Sequence, residues 1–374
     1  MKGGGAPPSP RSGAPEQLEI TRAAHAPKKS ETWQHLLVII DIHGHYTTYP
    51  PGVEAYRGAQ IAQMGAPTKG KMNVTDDEIR KSIEDGQLKV QRERGTDLTL
   101  FSPRASWMGH HFGNELISRY WAEHTNDLIY RVNQLFPDNF VGVCMLPQSP
   151  GVPPKNSIPE LERCVNELGF VGCNLSPDTS GGYWQEPPLT DRLWYPLYEK
   201  MIELDVPAMV HVSATCNPAF HQTGSHYLNA DTTAFMQFVQ TPQLFKDLPD
   251  LRFIIPHGGG AVPYHWGRYR GMNLDMGRPE LTELVMKNVW FDTCVYHQPG
   301  IDLLFKVVPL ENIMFASEMI GAVRGKDPNT GFYFDDTKRY VEALQLSEAD
   351  RQQVFEGTAR QVFPRLDALL KQQG

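Results

Sequence analysis

The chain has 374 residues and a hydrophobic content of 40%, enough for one large α/β domain with a sizeable core. A formal net charge of -8 offers no basic face to nucleic acid or an anionic membrane, so a small molecule is the expected partner. Five scattered cysteines, Cys144, Cys164, Cys173, Cys216 and Cys294, contain no CxxC pair, which argues against a disulfide framework or a cysteine-rich zinc site and for a reducing cytosol.

Residues 1–36 are rich in Gly, Pro and Ala and poor in large apolar side chains, too little to offset the entropy of ordering them, so they are expected to be a disordered extension. They hold no apolar segment of signal type, and no later run approaches the roughly 18 to 20 apolar residues of a membrane span. A soluble, cytoplasmic protein is expected. From residue 37 to 374, short apolar runs alternate with amphipathic stretches. The runs cover residues 37–40, 97–103 (DLTLFSP), 140–147 (FVGVCMLP), 170–177, 207–213, 252–260, 289–296 (VWFDTCVY) and 313–319 (IMFASEM). Between them, IPELERCVNELG (158–169) has apolar residues at helical spacing with Gly169 as a stop, and LWYPLYEKMIELD (193–205) reads as a second helix. Eight strands with helical crossovers predict a single (β/α)8 barrel of TIM type over residues 37–374. An open dinucleotide-binding sheet would need GxGxxG, a spacing that HGGGAVPYHWG (257–267) lacks.

The polar residues that interrupt these runs fall at their C-terminal ends, the face on which barrel active sites are built. His43 and His45 close the first run, and residues two apart on a strand share a face. Arg104 follows the second run, and Asn174, His211, His257 and Glu318 lie in the fourth, fifth, sixth and eighth. Imidazole and carboxylate together suit one zinc or similar divalent ion, which would also answer for a charge as buried as Glu318.

An HxH after strand one, single histidines after strands five and six and an acid after strand eight resemble the amidohydrolase superfamily. Its binuclear members bridge two metals with a lysine on strand four; Asn174 stands there, so the resemblance implies one ion. The chain is similar to the branch that holds aminocarboxymuconate-semialdehyde and γ-resorcylate decarboxylases, but those end strand eight in Ser-Asp where this chain has Ser317-Glu318. With HGHYT, FSPRAS, CMLPQSP, CNLSPD, FIIPHGGGAVPYHWGR, FDTCVYHQPGI and SEMIGAVRG, that departure resembles hydratases of the superfamily. The resemblance implies a zinc enzyme that adds water to the carbon-carbon double bond of 4-oxalomesaconate, giving 4-carboxy-4-hydroxy-2-oxoadipate in protocatechuate 4,5-cleavage. It places the metal on His43, His45, His211 and Glu318, with His257 as acid/base, and suggests a homo-oligomer.

Such a polycarboxylate substrate calls for cationic forks, and Arg104 and Arg324 are the candidates, each of which could instead hold a loop. Asn174, Ser213, Asn217 and Tyr227 could orient substrate or bond within their own loops. His110, His111, His221, His226, His265 and His297 are read as mostly loop residues and none is assigned to the ion. The competing readings are a decarboxylase on the same metal shell, a lactone or amide hydrolase, and a metal-binding barrel without catalysis.

Overall fold

Each of the eight apolar runs supplies a strand. In the computed structural model, which describes residues 37–105, 108–220 and 223–373, they are β1 (Ile40–Tyr46), β2 (Leu98–Pro103), β3 (Phe140–Met145), β4 (Gly172–Leu175), β5 (Ala208–Val210), β6 (Phe253–Ile255), β7 (Val289–Asp292) and β8 (Ile313–Met314). The expected extension, residues 1–36, and His221 lie outside the described residues. Neighbouring strands pair in parallel in the order β1 to β8. Parallel pairing requires a crossover between strands, and the helices between the runs supply it. Backbone bonds from Ile42 N to Phe315 O (3.1 Å) and from Glu318 N to His43 O (2.9 Å) join the last strand segment to the first, making a (β/α)8 barrel.

Strand alternation builds two apolar layers. Ile40, Ile42, Leu100, Val141, Val143, Met209, Ile254 and Met314 fill the barrel interior, with Phe363 and Leu366 from the C-terminal helical segment packed in the same cluster. Phe101, Phe140, Phe253 and Phe291 pack outward against helix residues such as Trp121, Leu197 and Phe238. Each such fully buried side chain contributes about 1.5–3 kcal/mol relative to exposure, so the two layers dominate the stability of the scaffold.

The helix over 158–169 is found as Ile158–Asn166, and Gly169 ends it with φ +72. The stretch 193–205 is a 3-10 turn, Arg192–Trp194, leading into the helix Tyr195–Glu203. The strands differ from the runs where the chain turns to function. β1 extends beyond residues 37–40 through the HGHY segment, whereas the eighth run leaves the ladder after Met314. Glu318 has φ +48, which a strand residue cannot adopt, and Asp41 takes over the pairing there by accepting Ser317 N at 3.0 Å and Ser317 Oγ. Among the described residues no helix is long and apolar enough to cross a membrane.

Candidate functional site

A one-residue irregularity in β1 decides which side chains meet. Asp41 pairs with Thr99 and Gly44 with Phe101, so three steps on β1 match two on β2, the signature of a β-bulge. Ile40 and Ile42 face the interior before the bulge, and His43 and His45 face it afterwards. Without the extra residue, His43 and His45 would sit in the outer layer. Gly44 is required between them, since a Cβ there would stand 2.4 Å from Thr99 Cγ2.

His43, His45, His211 and Glu318 converge at the C-terminal face, all buried, with one donor atom from each within 4.8 Å of the others. His43 Nε2 lies 2.9 Å from His45 Nε2, and His45 Nε2 lies 3.3 Å from His211 Nε2. The far nitrogens are all engaged. His43 Nδ1 donates to Asp292 Oδ2 (2.7 Å), His211 Nδ1 donates to Val212 O (2.8 Å), and His45 Nδ1 meets Ser102 Oγ at 2.7 Å. A nitrogen facing a carboxylate or a carbonyl must carry the proton, so the Nε2 atoms of His43 and His211 present lone pairs. Burial, reinforced by the neighbouring imidazoles, pushes His45 and His211 well below the ordinary histidine range, so both are neutral at pH 7. Converging lone pairs beside a carboxylate repel one another and invite a cation. The donor set fits a divalent ion, with the outer hydrogen bonds fixing each ring.

Next to this cluster lies a histidine of opposite character. His257 Nδ1 is 2.9 Å from Asp231 Oδ2, and its Nε2 is 3.7 Å from Glu318 Oε2 with no hydrogen-bond partner. Burial alone would lower its pKa, but the charge and hydrogen bond of Asp231, with Glu318 and Asp292, outweigh it and raise it to about 9. Burial lifts Asp231 to about 6 despite its cationic partner. Tyr227 stacks on His257 (ring centroids 5.5 Å, planes 5° apart) and meets His211 edge-on at 5.0 Å. Tyr296 Oη donates to Glu318 Oε2 at 3.0 Å, and burial beside that carboxylate keeps the phenol protonated. His257 and Glu318 both have positive φ, +53 and +48, strain of the kind that functional sites retain.

This dyad carries a pH prediction. Both raised values mean that the folded state binds more protons than the unfolded chain, so unfolding free energy falls as pH rises. The His257 contribution is fully present below pH 6.5 and lost as pH climbs through about 9; its size is on the order of 3 kcal/mol. Urea unfolding of metal-free protein between pH 7.5 and 9.5, above the range in which the depressed His45 and His211 oppose it, is expected to show this decline, and Asp231→Asn is expected to make it shallower. A wild-type stability independent of pH over that window would refute the assignment.

The remaining expected site residues divide. Arg104 is partly buried, donates to Tyr49 Oη at 3.0 Å and makes no ion pair among the described residues. The amide of Asn174 donates to Ser102 Oγ (3.0 Å), which itself holds His45, so Asn174 supports the histidine cluster from outside. Ser213 is buried with its hydroxyl toward Ala214 O (3.4 Å), and Asn217 donates to Gly182 O (2.7 Å), tying one loop to the next. Arg324 is exposed and donates to Gly321 O (3.2 Å) in its own loop. His265 and His297 are exposed, His110 is buried, and His111 and His226 lie near Asp178; among the described residues none joins the metal-ligand cluster. The glycines after His257 serve packing: a Cβ on Gly258 would meet Val295 Cγ2 at 2.5 Å, and one on Gly259 would meet Phe291 at 2.5 Å. Sequence reasoning missed Asp231, Asp292, Tyr296 and Ser102. Asp292 carried a visible signal, a carboxylate closing the apolar run VWFD; Asp231, in the helix Thr223–Gln240, carried none.

Comparison with known proteins agrees with this geometry. The amidohydrolase family profile matches residues 40–365. A 2-keto-4-carboxy-3-hexenedioate hydratase of Sphingobium sp. is 60% identical over 341 residues, 91% of this chain and 100% of the hydratase. The crystal structure of 4-oxalomesaconate hydratase from Rhodopseudomonas palustris superposes with a TM-score of 0.84 at 60% identity, covering 90% of this chain and 99% of that one. A dihydroxybenzoic acid decarboxylase from Polaromonas sp., solved with bound manganese, shares the fold at 18% identity, with a TM-score of 0.63 over 88% of this chain and 97% of that one.

Proposed function

The chain belongs to the amidohydrolase family, and from that premise we propose that it is a zinc-dependent hydro-lyase adding water to 4-oxalomesaconate in the catabolism of aromatic acids. The observation that carries the reading is the pairing of a three-histidine, one-glutamate cluster with a cationic histidine 3.7 Å from that glutamate. Hydration needs both a proton acceptor for water and a proton donor for carbon, and here they are adjacent. The 60% identity to a hydratase along its whole length supports the same chemistry.

His43, His45, His211 and Glu318 would hold the ion, which when bound supplies the Lewis acidity that lets water lose a proton near neutral pH. Glu318, oriented by Tyr296, takes that proton. As the carbon-oxygen bond forms, the alkene electron pair moves into an enolate of the conjugated ketone, and His257 Nε2 delivers its proton to the enolate carbon. Glu318 is then protonated and His257 neutral; transfer across their 3.7 Å separation restores both and balances the cycle. Arg104, partly buried and without an ion pair among the described residues, is the candidate to hold a substrate carboxylate.

The test is direct. Zinc-loaded protein mixed with 4-oxalomesaconate should bleach the conjugated absorbance and give the hydrated tricarboxylate by NMR. Unchanged absorbance would overturn the reading, and release of carbon dioxide would assign the site to decarboxylation.

A further inference from the structure

We propose that Asp292 is a positioning residue that ties the metal ligand His43 to the turn carrying His257, so that one carboxylate sets the geometry of both. The inference rests on the reading of His43, His45, His211 and Glu318 as ligands of a single divalent ion, and it concerns a residue outside that set.

Asp292 ends β7 and is fully buried. Among the described residues its only basic neighbour within ion-pair distance is the His43 imidazole, so no guanidinium or ammonium accounts for its burial. A buried carboxylate persists only when its lone pairs are met, and here they are met in a divided way. Oδ2 accepts from His43 Nδ1 at 2.7 Å. Oδ1 accepts two backbone N–H groups, Gly258 N and Cys294 N, each at 3.0 Å.

The two oxygens govern different parts of the site. Because an ionised carboxylate only accepts, Oδ2 confines the His43 proton to Nδ1 and leaves Nε2 bare toward His45 and His211, the tautomer a metal ligand needs. Oδ1 holds the main chain immediately after His257. That turn is unfavourable in itself: His257 has φ +53, Gly258 has φ +62, and Gly258 is packed so closely on Val295 that a Cβ would stand 2.5 Å from it. Asp231 fixes the His257 ring from the helix Thr223–Gln240, and Asp292 fixes its backbone from β7. The proton donor and the first metal ligand therefore share one anchor. Displacement of Asp292 would disturb both, which explains why a carboxylate is placed here, where a neutral acceptor would meet only half of the demand.

Two variants separate the halves. In Asp292→Asn the amide oxygen can still accept Gly258 N and Cys294 N, but an NH2 group faces His43 Nδ1, which must then accept and carry its proton on Nε2. Zinc affinity, read by competition with a chromophoric chelator, is expected to fall about 10- to 100-fold. Hydrogen exchange of the peptide over residues 255–262 is expected to stay at the wild-type rate. Asp292→Ala removes both acceptors, so zinc affinity should fall and exchange in the same peptide should accelerate. Wild-type zinc affinity in the Asn variant overturns the tie to His43. Unaltered exchange in the Ala variant overturns the tie to the His257 turn; should that variant not fold, faster exchange in the Asn variant overturns the division of roles between the oxygens. Failure of the metal reading itself is distinguishable, because the wild-type protein would then show no zinc affinity to lose.

Discussion

Glu318→Gln is expected to lower the hydration rate by at least about a hundredfold, the lower end of what a positioned general base contributes. The substitution keeps side-chain length, so Tyr296 Oη, 3.0 Å from Oε2 in the wild type, retains a carbonyl to donate to. What disappears is the basic oxygen and the anion beside His257. Glu318→Asp tests reach separately from basicity. Losing one methylene retracts the carboxylate by roughly 1.5 Å, one carbon-carbon bond. The backbone cannot follow, because Glu318 N is bonded to His43 O at 2.9 Å and Gly321 lies against it, where a Cβ would stand 2.5 Å from Glu318 O. Misplacement on the order of 1 Å can cost about a hundredfold in rate, so the Asp variant should hold zinc, more weakly, and turn over slowly. Rates and zinc content of both variants decide the matter. Wild-type turnover by the Gln variant would remove Glu318 as the base and shift that role toward the His257 and Asp231 pair.

The barrel was legible because its strands are buried on both faces. Such strands read as continuous apolar runs, and all eight runs became strands in chain order. The histidine and glutamate cluster was legible for a related reason: such a residue at the end of an apolar run is a local conflict, and conflicts of that kind concentrate at sites. The sequence could not show how long each strand persists. β5 and β8 are short because the residues beyond them leave the ladder to carry function, a tertiary decision. Nor could it show the β1 bulge. The expectation that His43 and His45 share a face was right about the pair, yet simple alternation from Ile40 and Ile42 would have put both in the outer layer. Asp231 shows the deeper limit. On its helix it is one polar residue among several, and only the approach of β6 to that helix turns it into the partner of His257. Asn174 was legible as a polar interruption, while its engagement with Ser102 depends on contact between β4 and β2 side chains across the barrel.

His211→Ala should abolish turnover and reduce zinc affinity by at least one order of magnitude while leaving the barrel folded. The reasoning starts from where the donors come from. His43 and His45 belong to β1, and Glu318 follows β8, the strand that closes onto β1, so three of the four approach from one side. His211 follows β5 and approaches from elsewhere on the barrel rim, so its loss leaves the ion open on that side. Its ring is a source of tension in the metal-free protein: burial and the His45, His257 and His43 imidazoles all oppose its charged form, and its Nε2 stands 3.3 Å from that of His45. Removing the ring relieves that tension and offsets part of the packing lost against Tyr227, so the metal-free variant should unfold close to the metal-free wild type. The two should part once zinc is added. An ion at a thousand times its Kd stabilises the folded state by about 4 kcal/mol, several degrees in Tm for a chain of this size. Thermal unfolding with and without zinc therefore reads the shell independently of catalysis: the wild type should rise in full, and the variant by less, since each tenfold loss of affinity removes about 1.4 kcal/mol of that stabilisation. An equal zinc-dependent rise in the two proteins, with equal bound zinc, would take His211 out of the shell and leave the ion to β1 and the β8 segment alone.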